Sequence, residues 1–203
     1  MMLLLDMKGI IFALLVGIIV YFFGGAEELF LLITFFAFSV LVTRYEYYDK
    51  KEMGVYEYER GWKNVISNGF FPAVFAFFSP VLGPYPFIAS VAAITADKFS
   101  SELGIFGGNP YDLLTLKRVK PGTSGAVSSL GFLASFAGAS FTALTAVVLF
   151  SLSSVVALKL AFFGFIGCLA DSFAGAFEER GFGTKETSNL AGAFVGGLLG
   201  VFV

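Results

Sequence analysis

The chain has 203 residues, of which 57% are apolar, 18% aromatic and only 14% charged, with a net charge of −2. Soluble domains carry about 25% charged residues, so this composition excludes an ordinary soluble domain, and nothing in the charge suits a nucleic-acid surface. Histidine is absent, which removes the commonest general base, any Ser–His or Cys–His nucleophile and most zinc chemistry.

Seven apolar segments follow in chain order, over about 8–25, 27–43, 64–82, 84–104, 123–150, 154–178 and 188–203. Most approach the roughly 20 residues a helix needs to cross the hydrocarbon, and the last is short. The first has no small-residue cleavage site and is followed at once by the second, so it reads as a helix, not a removed signal peptide. Residues 24–28, 79–86 and 150–154 hold no Lys or Arg, whereas 44–63, 105–122 and 179–187 hold Arg44, Lys50, Lys51, Arg60, Lys63, Lys117, Arg118, Lys120, Arg180 and Lys185. The two kinds of connection alternate. The positive-inside rule then places the N-terminus in the cytoplasm and the C-terminus outside; only Lys159 runs against it, and a lysine can snorkel. The expectation is an all-α, polytopic integral membrane helical bundle of about seven transmembrane helices. It forms a single domain over 1–203, with 1–63 an N-terminal hairpin plus interfacial loop and 64–203 a catalytic helical core.

Between Arg44 and Asn64, charges mix with Tyr45, Tyr47, Tyr48, Tyr56, Tyr58 and Trp62. Aromatics with a polar tip favour the headgroup zone, which predicts an interfacial loop or surface helix. Small residues recur at helical spacing further on: Gly131, Ser135, Gly138 and Thr142; Gly164, Gly167 and Gly175; Gly192, Gly196 and Gly200. Such stripes let helices approach closely in lipid and predict a tight bundle of segments four to seven. The Phe-rich first three segments, with Phe22, Phe23, Phe35, Phe36, Phe38, Phe75, Phe77 and Phe78, read as more lipid-exposed. The single cysteine, Cys168, lies in an apolar run where packing is its expected role.

Two aspartates interrupt this pattern in matching frames: Ala96-Asp97-Lys98-Phe99 and Ala170-Asp171-Ser172-Phe173. A carboxylate at the edge of hydrocarbon costs roughly 2.5–3.5 kcal/mol on insertion scales, so it needs a partner or a purpose. Ser101 shares a helical face with Asp97, and Glu102 is adjacent. Oxygen ligands without histidine suit Mg²⁺ held jointly by protein and phosphates, with Asp97, Glu102 and Asp171 as candidate ligands. The run Lys117-Arg118-Val119-Lys120-Pro121-Gly122-Thr123-Ser124-Gly125 precedes the fifth segment. Gly122 and Gly125 permit close backbone approach, and Thr123 or Ser124 can cap the helix and leave free N–H groups for an anion. Metal, cations and oriented donors are the set that phosphoryl transfer needs. The plainer readings are positive-inside lysines before a capped helix, and aspartates paired with Lys98, Lys117 or Arg118.

Five runs in order carry a family resemblance. They are Asn64–Gly69, Thr95–Gly104, Val119–Ser128, Leu169–Ala176 and finally Asn189. Over about residues 55–203 the chain resembles the DUF92/TMEM19 integral membrane family, which includes phytyl-phosphate kinase. The family's usual Ala-Asp-Thr-Trp is Ala96-Asp97-Lys98-Phe99 here, so Lys98 stands ready either to bind phosphate or to neutralise Asp97. The resemblance implies an Mg²⁺-dependent kinase that converts an isoprenoid monophosphate to the diphosphate with a nucleoside triphosphate such as CTP, GTP or UTP. Its active face would be cytoplasmic in a multi-pass protein of the cell membrane. Asp97, Asp171, Lys117 and Arg118 would be catalytic. Lys120, Gly122, Thr123, Ser124, Gly125, Ser101, Asn64, Asn68 and Asn189 would bind nucleotide or phosphate. The bilayer is the expected partner, nucleic acid is not, and a homo-oligomer stays open. Two alternatives remain: a CTP-dependent nucleotidyltransferase or polyprenol kinase, and a small cation-coupled transporter.

Overall fold

The computed structural model describes residues 5–55 and 61–203; Tyr56, Tyr58 and Arg60 of the interfacial stretch lie outside them. Among the described residues the chain forms seven α-helices and one two-stranded ladder, an all-α membrane bundle.

Helix α1, Met7–Arg44, is broken at Gly25, where φ is 85° and ψ −175°, a backbone conformation that only glycine adopts without strain. The break reverses the chain. A Cβ placed on Gly17 would lie 3.7 Å from Leu29 Cδ1, whereas twelve residues of straight helix would separate the two by about 18 Å. The first two apolar segments are therefore the arms of one hairpin. Just past the reversal, Glu28 is 1% exposed and accepts a hydrogen bond from Ser79 Oγ at 2.6 Å. That bond ties the hairpin to α3, Trp62–Leu82. Within the stretch expected to be an interfacial loop or surface helix, Tyr47–Glu52 forms a short helix, α2.

Helix α4, Tyr85–Leu103, is the hub, with every residue from Pro86 to Ala96 buried. Helices α5 (Ser129–Phe150), α6 (Ser154–Glu178) and α7 (Lys185–Gly200) pack around it. The small-residue stripes lie at these contacts. A Cβ on Gly167 or Gly196 would fall 2.6 or 2.7 Å from Ala93 Cβ, and one on Gly138 would fall 2.9 Å from Thr95 O. Close approach also permits interhelical hydrogen bonds, from Ser90 Oγ to Ala193 O and from Thr142 Oγ1 to Thr95 Oγ1, both 2.9 Å. Cys168 is buried with Ala92, Ala96, Ala139 and Phe165, which is the packing role expected of it. Of the Phe-rich set, Phe22, Phe77 and Phe78 are exposed, but Phe75 is buried because it turns inward onto Gly197.

Helices α1, α3, α5 and α6 are long and apolar enough to cross a membrane. Helix α7 has 16 residues, about 24 Å, less than the ~30 Å hydrocarbon thickness. The fifth helix starts later than residue 123. Residues Ala126–Val127 (β2) instead pair antiparallel with Tyr111–Asp112 (β1), Tyr111 opposite Val127. The reason is Gly125: its φ of +67° and its contact with Ser172 O, 2.5 Å from where a Cβ would be, press the turn onto α6 and rule out helix there.

Candidate functional site

Two cavities meet at the C-terminal end of α4. The polar one, about 500 Å³, lies among α4, α6, the start of α7 and the Gly122–Gly125 turn. The other, about 240 Å³ and mostly apolar, lies between the α1 hairpin and α3. Asp97, Lys98, Ser101, Lys185 and Asn189 line both.

The structure brings the two aspartates to one place. Asp97 comes from α4 and Asp171 from α6, and both line the polar cavity. Asp171 is buried and senses the negative charges of Asp97 and Glu178 and the positive charge of Lys185. With its carboxamide nitrogen turned toward the acceptors around it, Asn189 donates to Asp171 Oδ2 at 3.2 Å and to Lys185 O at 3.1 Å. Gly192 leaves room for this: a Cβ there would fall 2.8 Å from Asp171 Cβ. Ser101, Gly122, Thr123, Ser124 and Gly125 also line the polar cavity. Asn64 and Asn68 line the apolar one, and Asn68 Nδ2 donates to Asn64 O at 2.9 Å.

Glu102, a candidate metal ligand by sequence, is held by ion pairs and hydrogen bonds. It accepts from Lys50 Nζ at 2.8 Å and Thr43 Oγ1 at 2.8 Å, and it pairs with Lys98 one helical turn away. Lys50 is 1% exposed and also donates to Val42 O and Thr43 O, at 2.9 and 3.2 Å, at the end of α1. The group is an ion-pair network that latches α2 to α4. Among the described residues no three acidic, histidine or cysteine side chains converge as a metal cluster. Lys98, left open between two roles by the sequence, is engaged with Glu102.

The turn before α5 also differs from a free anion loop. The N-cap of α5 is Ser128, whose Oγ accepts from Gly131 N at 3.0 Å, and not Thr123 or Ser124. Ser124 N donates to Glu179 Oε1 at 3.0 Å, and Ser124 Oγ donates to Glu178 Oε2 at 2.6 Å. These donors hold the turn to the end of α6. Lys117, Arg118 and Lys120 line neither cavity. Arg118 donates to Tyr111 Oη at 3.2 Å and sits 5.7 Å from that ring's centre.

Asp112 ties the loop after β1 to the end of α6. Its Oδ1 accepts from Thr115 N (2.6 Å), Thr115 Oγ1 (2.8 Å) and Arg180 Nη2 (3.1 Å). Arg180 and the Thr115 donors hold its carboxyl well below the usual carboxylate range. A depressed folded-state pKa means that the unfolded chain binds the proton more readily. The stabilisation is then complete above the unfolded value of about 3.9 and is lost as pH falls through the folded one. Acid unfolding followed from pH 5 to pH 2 should therefore steepen in the wild type and flatten in Asp112→Asn.

Sequence reasoning missed Lys185, Ser172, Glu178 and Ser188 as cavity residues. One signal was available. Thr184 and Thr187 form a capping box, which marks a helix start and puts Lys185 at its first position. The chemistry that results is acidic: Asp97, Glu102, Asp171, Glu178 and Glu179 face Lys98 and Lys185. Asp97 and Asp171, carboxylates from different helices, are the residues that would hold a metal here; Mg²⁺ commonly takes one or two carboxylates from protein when phosphates supply the rest.

The comparisons with known proteins agree with this picture of a membrane bundle. An uncharacterized membrane protein of Methanocaldococcus jannaschii is 39% identical over 207 residues, covering 98% of this chain and 85% of its own. An uncharacterized membrane protein of Synechocystis sp. is 28% identical over 205 residues, covering 93% and 78%. No solved structure matches the chain. The integral membrane protein family DUF92 matches residues 2–198, nearly the whole sequence, and the chain belongs to that family.

Proposed function

We propose that this protein is a membrane-embedded prenyl-phosphate kinase, working at the cytoplasmic face, that moves the γ-phosphoryl group of a nucleoside triphosphate onto an isoprenoid monophosphate. One observation carries the reading: the apolar and polar cavities share Asp97, Lys98, Ser101, Lys185 and Asn189. An amphiphile with its tail in the first cavity brings its phosphate to the second, beside both aspartates. The resemblance to the family of phytyl-phosphate kinase points the same way.

In the reaction a substrate phosphate oxygen attacks the γ-phosphorus, the bond from that phosphorus to the β–γ bridging oxygen breaks, and nucleoside diphosphate leaves. The attacking oxygen is already ionised, so a chain without histidine lacks nothing it needs. Mg²⁺ bound with the triphosphate would neutralise charge developing on the transferred group. Asp97 and Asp171 would hold that ion, and the acidic excess of the cavity makes a bare triphosphate a poor ligand. Lys185 contacts phosphate, Asn189 orients Asp171, and Ser101 and the Ser172 hydroxyl offer hydrogen bonds. Lys117, Arg118 and Lys120, outside the cavity, raise the local concentration of anionic nucleotide.

The test is turnover by purified protein in lipid nanodiscs with phytyl or geranylgeranyl phosphate, Mg²⁺ and each nucleoside triphosphate in turn. The expected products are lipid diphosphate and nucleoside diphosphate, with no reaction in excess chelator. Release of pyrophosphate would replace the kinase by a nucleotidyltransferase, and absence of any lipid product would favour a transporter.

A further inference from the structure

The apolar cavity has unlike ends. One end runs into Asp97, Lys98 and Ser101. Its wall elsewhere includes Ile33 and Phe36, which are 53% and 37% exposed, so the groove opens along α1 to the surface that faces lipid. Gly17 faces Leu29, and Gly69 of α3 comes so near Val16 that a Cβ would lie 3.1 Å from Val16 Cγ2.

We propose that this groove takes a single hydrocarbon tail and reads only about its ten head-proximal carbons, leaving the remainder in the bilayer. The inference rests on the kinase reading for the phosphate head but not for the tail. A 150 Å³ apolar cavity holds one benzene, six carbons, so about 240 Å³ holds on the order of ten. Carbons beyond that number pass from lipid to lipid on binding and gain nothing, because lipid tails are as apolar as the groove. The second chain of a diacyl phosphate finds no wall, and its glycerol sits where the first carbons of a prenyl tail would pack. Gly17 sets the bore: a Cβ there meets only Leu29 Cδ1, at 3.7 Å, so alanine fits and a larger side chain crosses the groove toward Leu29.

Trp62 supplies the readout. It is the only tryptophan, begins α3, and stacks on Phe12 with ring centres 5.8 Å apart, two positions before Asn64 of the groove. Its fluorescence is followed in phosphatidylcholine nanodiscs without nucleotide, against the mole fraction of geranyl, farnesyl or geranylgeranyl phosphate. The three should bind within about threefold of one another, and phosphatidate about tenfold or more weaker. Gly17→Phe and Ala13→Phe should each weaken all three by about tenfold, while the lipid-facing Leu14→Phe leaves binding unchanged.

Affinity that climbs tenfold or more from ten to twenty carbons, phosphatidate binding on a par, or wild-type binding by both phenylalanine variants at positions 13 and 17 would each overturn the proposal. The expected binding pattern without lipid-diphosphate formation would sink the kinase reading and leave the groove. Turnover with an unaffected Gly17→Phe would do the reverse.

Discussion

Replacing Asp171 by Asn is expected to reduce phosphoryl transfer by roughly a thousandfold, and Asp97→Asn by a similar factor, with the fold intact in both. The magnitude follows from charge. A metal held between two carboxylates and a triphosphate supplies several kcal/mol of transition-state stabilisation, and each 1.36 kcal/mol is a factor of ten in rate. An amide keeps the shape and an acceptor oxygen for the hydrogen bond from Asn189, but it has no charge to give the metal. Thermal unfolding should be unchanged or shifted upward, because Asp171 is buried and a neutral amide costs less to bury than a charged carboxylate. The measurement is single-turnover transfer at saturating nucleotide, with unfolding followed in the same nanodiscs. Rates within threefold of wild type in both variants would remove the aspartates from the chemistry.

The second large effect is on stability. Lys50→Met should destabilise the protein by about 3 kcal/mol, at the low end of the range for breaking a buried ion pair. The low end applies because Lys98 and Thr43 still face Glu102. Glu102→Gln should cost more, since it leaves an ammonium that is 1% exposed facing neutral oxygens, the carbonyls of Val42 and Thr43 among them, with no carboxylate at 102 to balance its charge. Combining the two substitutions should cost less than the sum of the singles, because the pair is then removed together. Denaturant or thermal unfolding of the four proteins completes the cycle. Additivity within about 0.5 kcal/mol would show that Lys50 and Glu102 are not coupled. Apparent affinity for nucleotide should weaken as well. The segment that follows α2 brings Gly54 and Val55 to the polar cavity, where Val55 Cγ1 lies 2.8 Å from the place of a Cβ on Gly122.

Much of the architecture was legible in the residues. Hydropathy and loop charge gave an all-α membrane bundle, and the small residues at 138, 167 and 196 marked the faces that press on α4. They were readable because lipid imposes one rule on every residue: backbone groups must be satisfied within the segment, and close helix contact needs small side chains. The matched frames around Asp97 and Asp171 were readable for a related reason. A carboxylate in an apolar helix stands out against its cost.

What the sequence by itself determined, then, was the class of fold, the faces that pack and the two acidic positions that meet. What only the tertiary structure decided was the fate of each long polar side chain. Glu102 goes to Lys50, 52 residues away in sequence, and Ser124 gives its N–H to Glu179 rather than leaving it for an anion. Lys185 reaches the cavity while Lys117, Arg118 and Lys120 do not. Composition and spacing are local, whereas an ion pair is fixed by which elements the packed core brings within a few ångströms. Several partners of equal chemistry were available in the chain, and the packing of the helices selected among them.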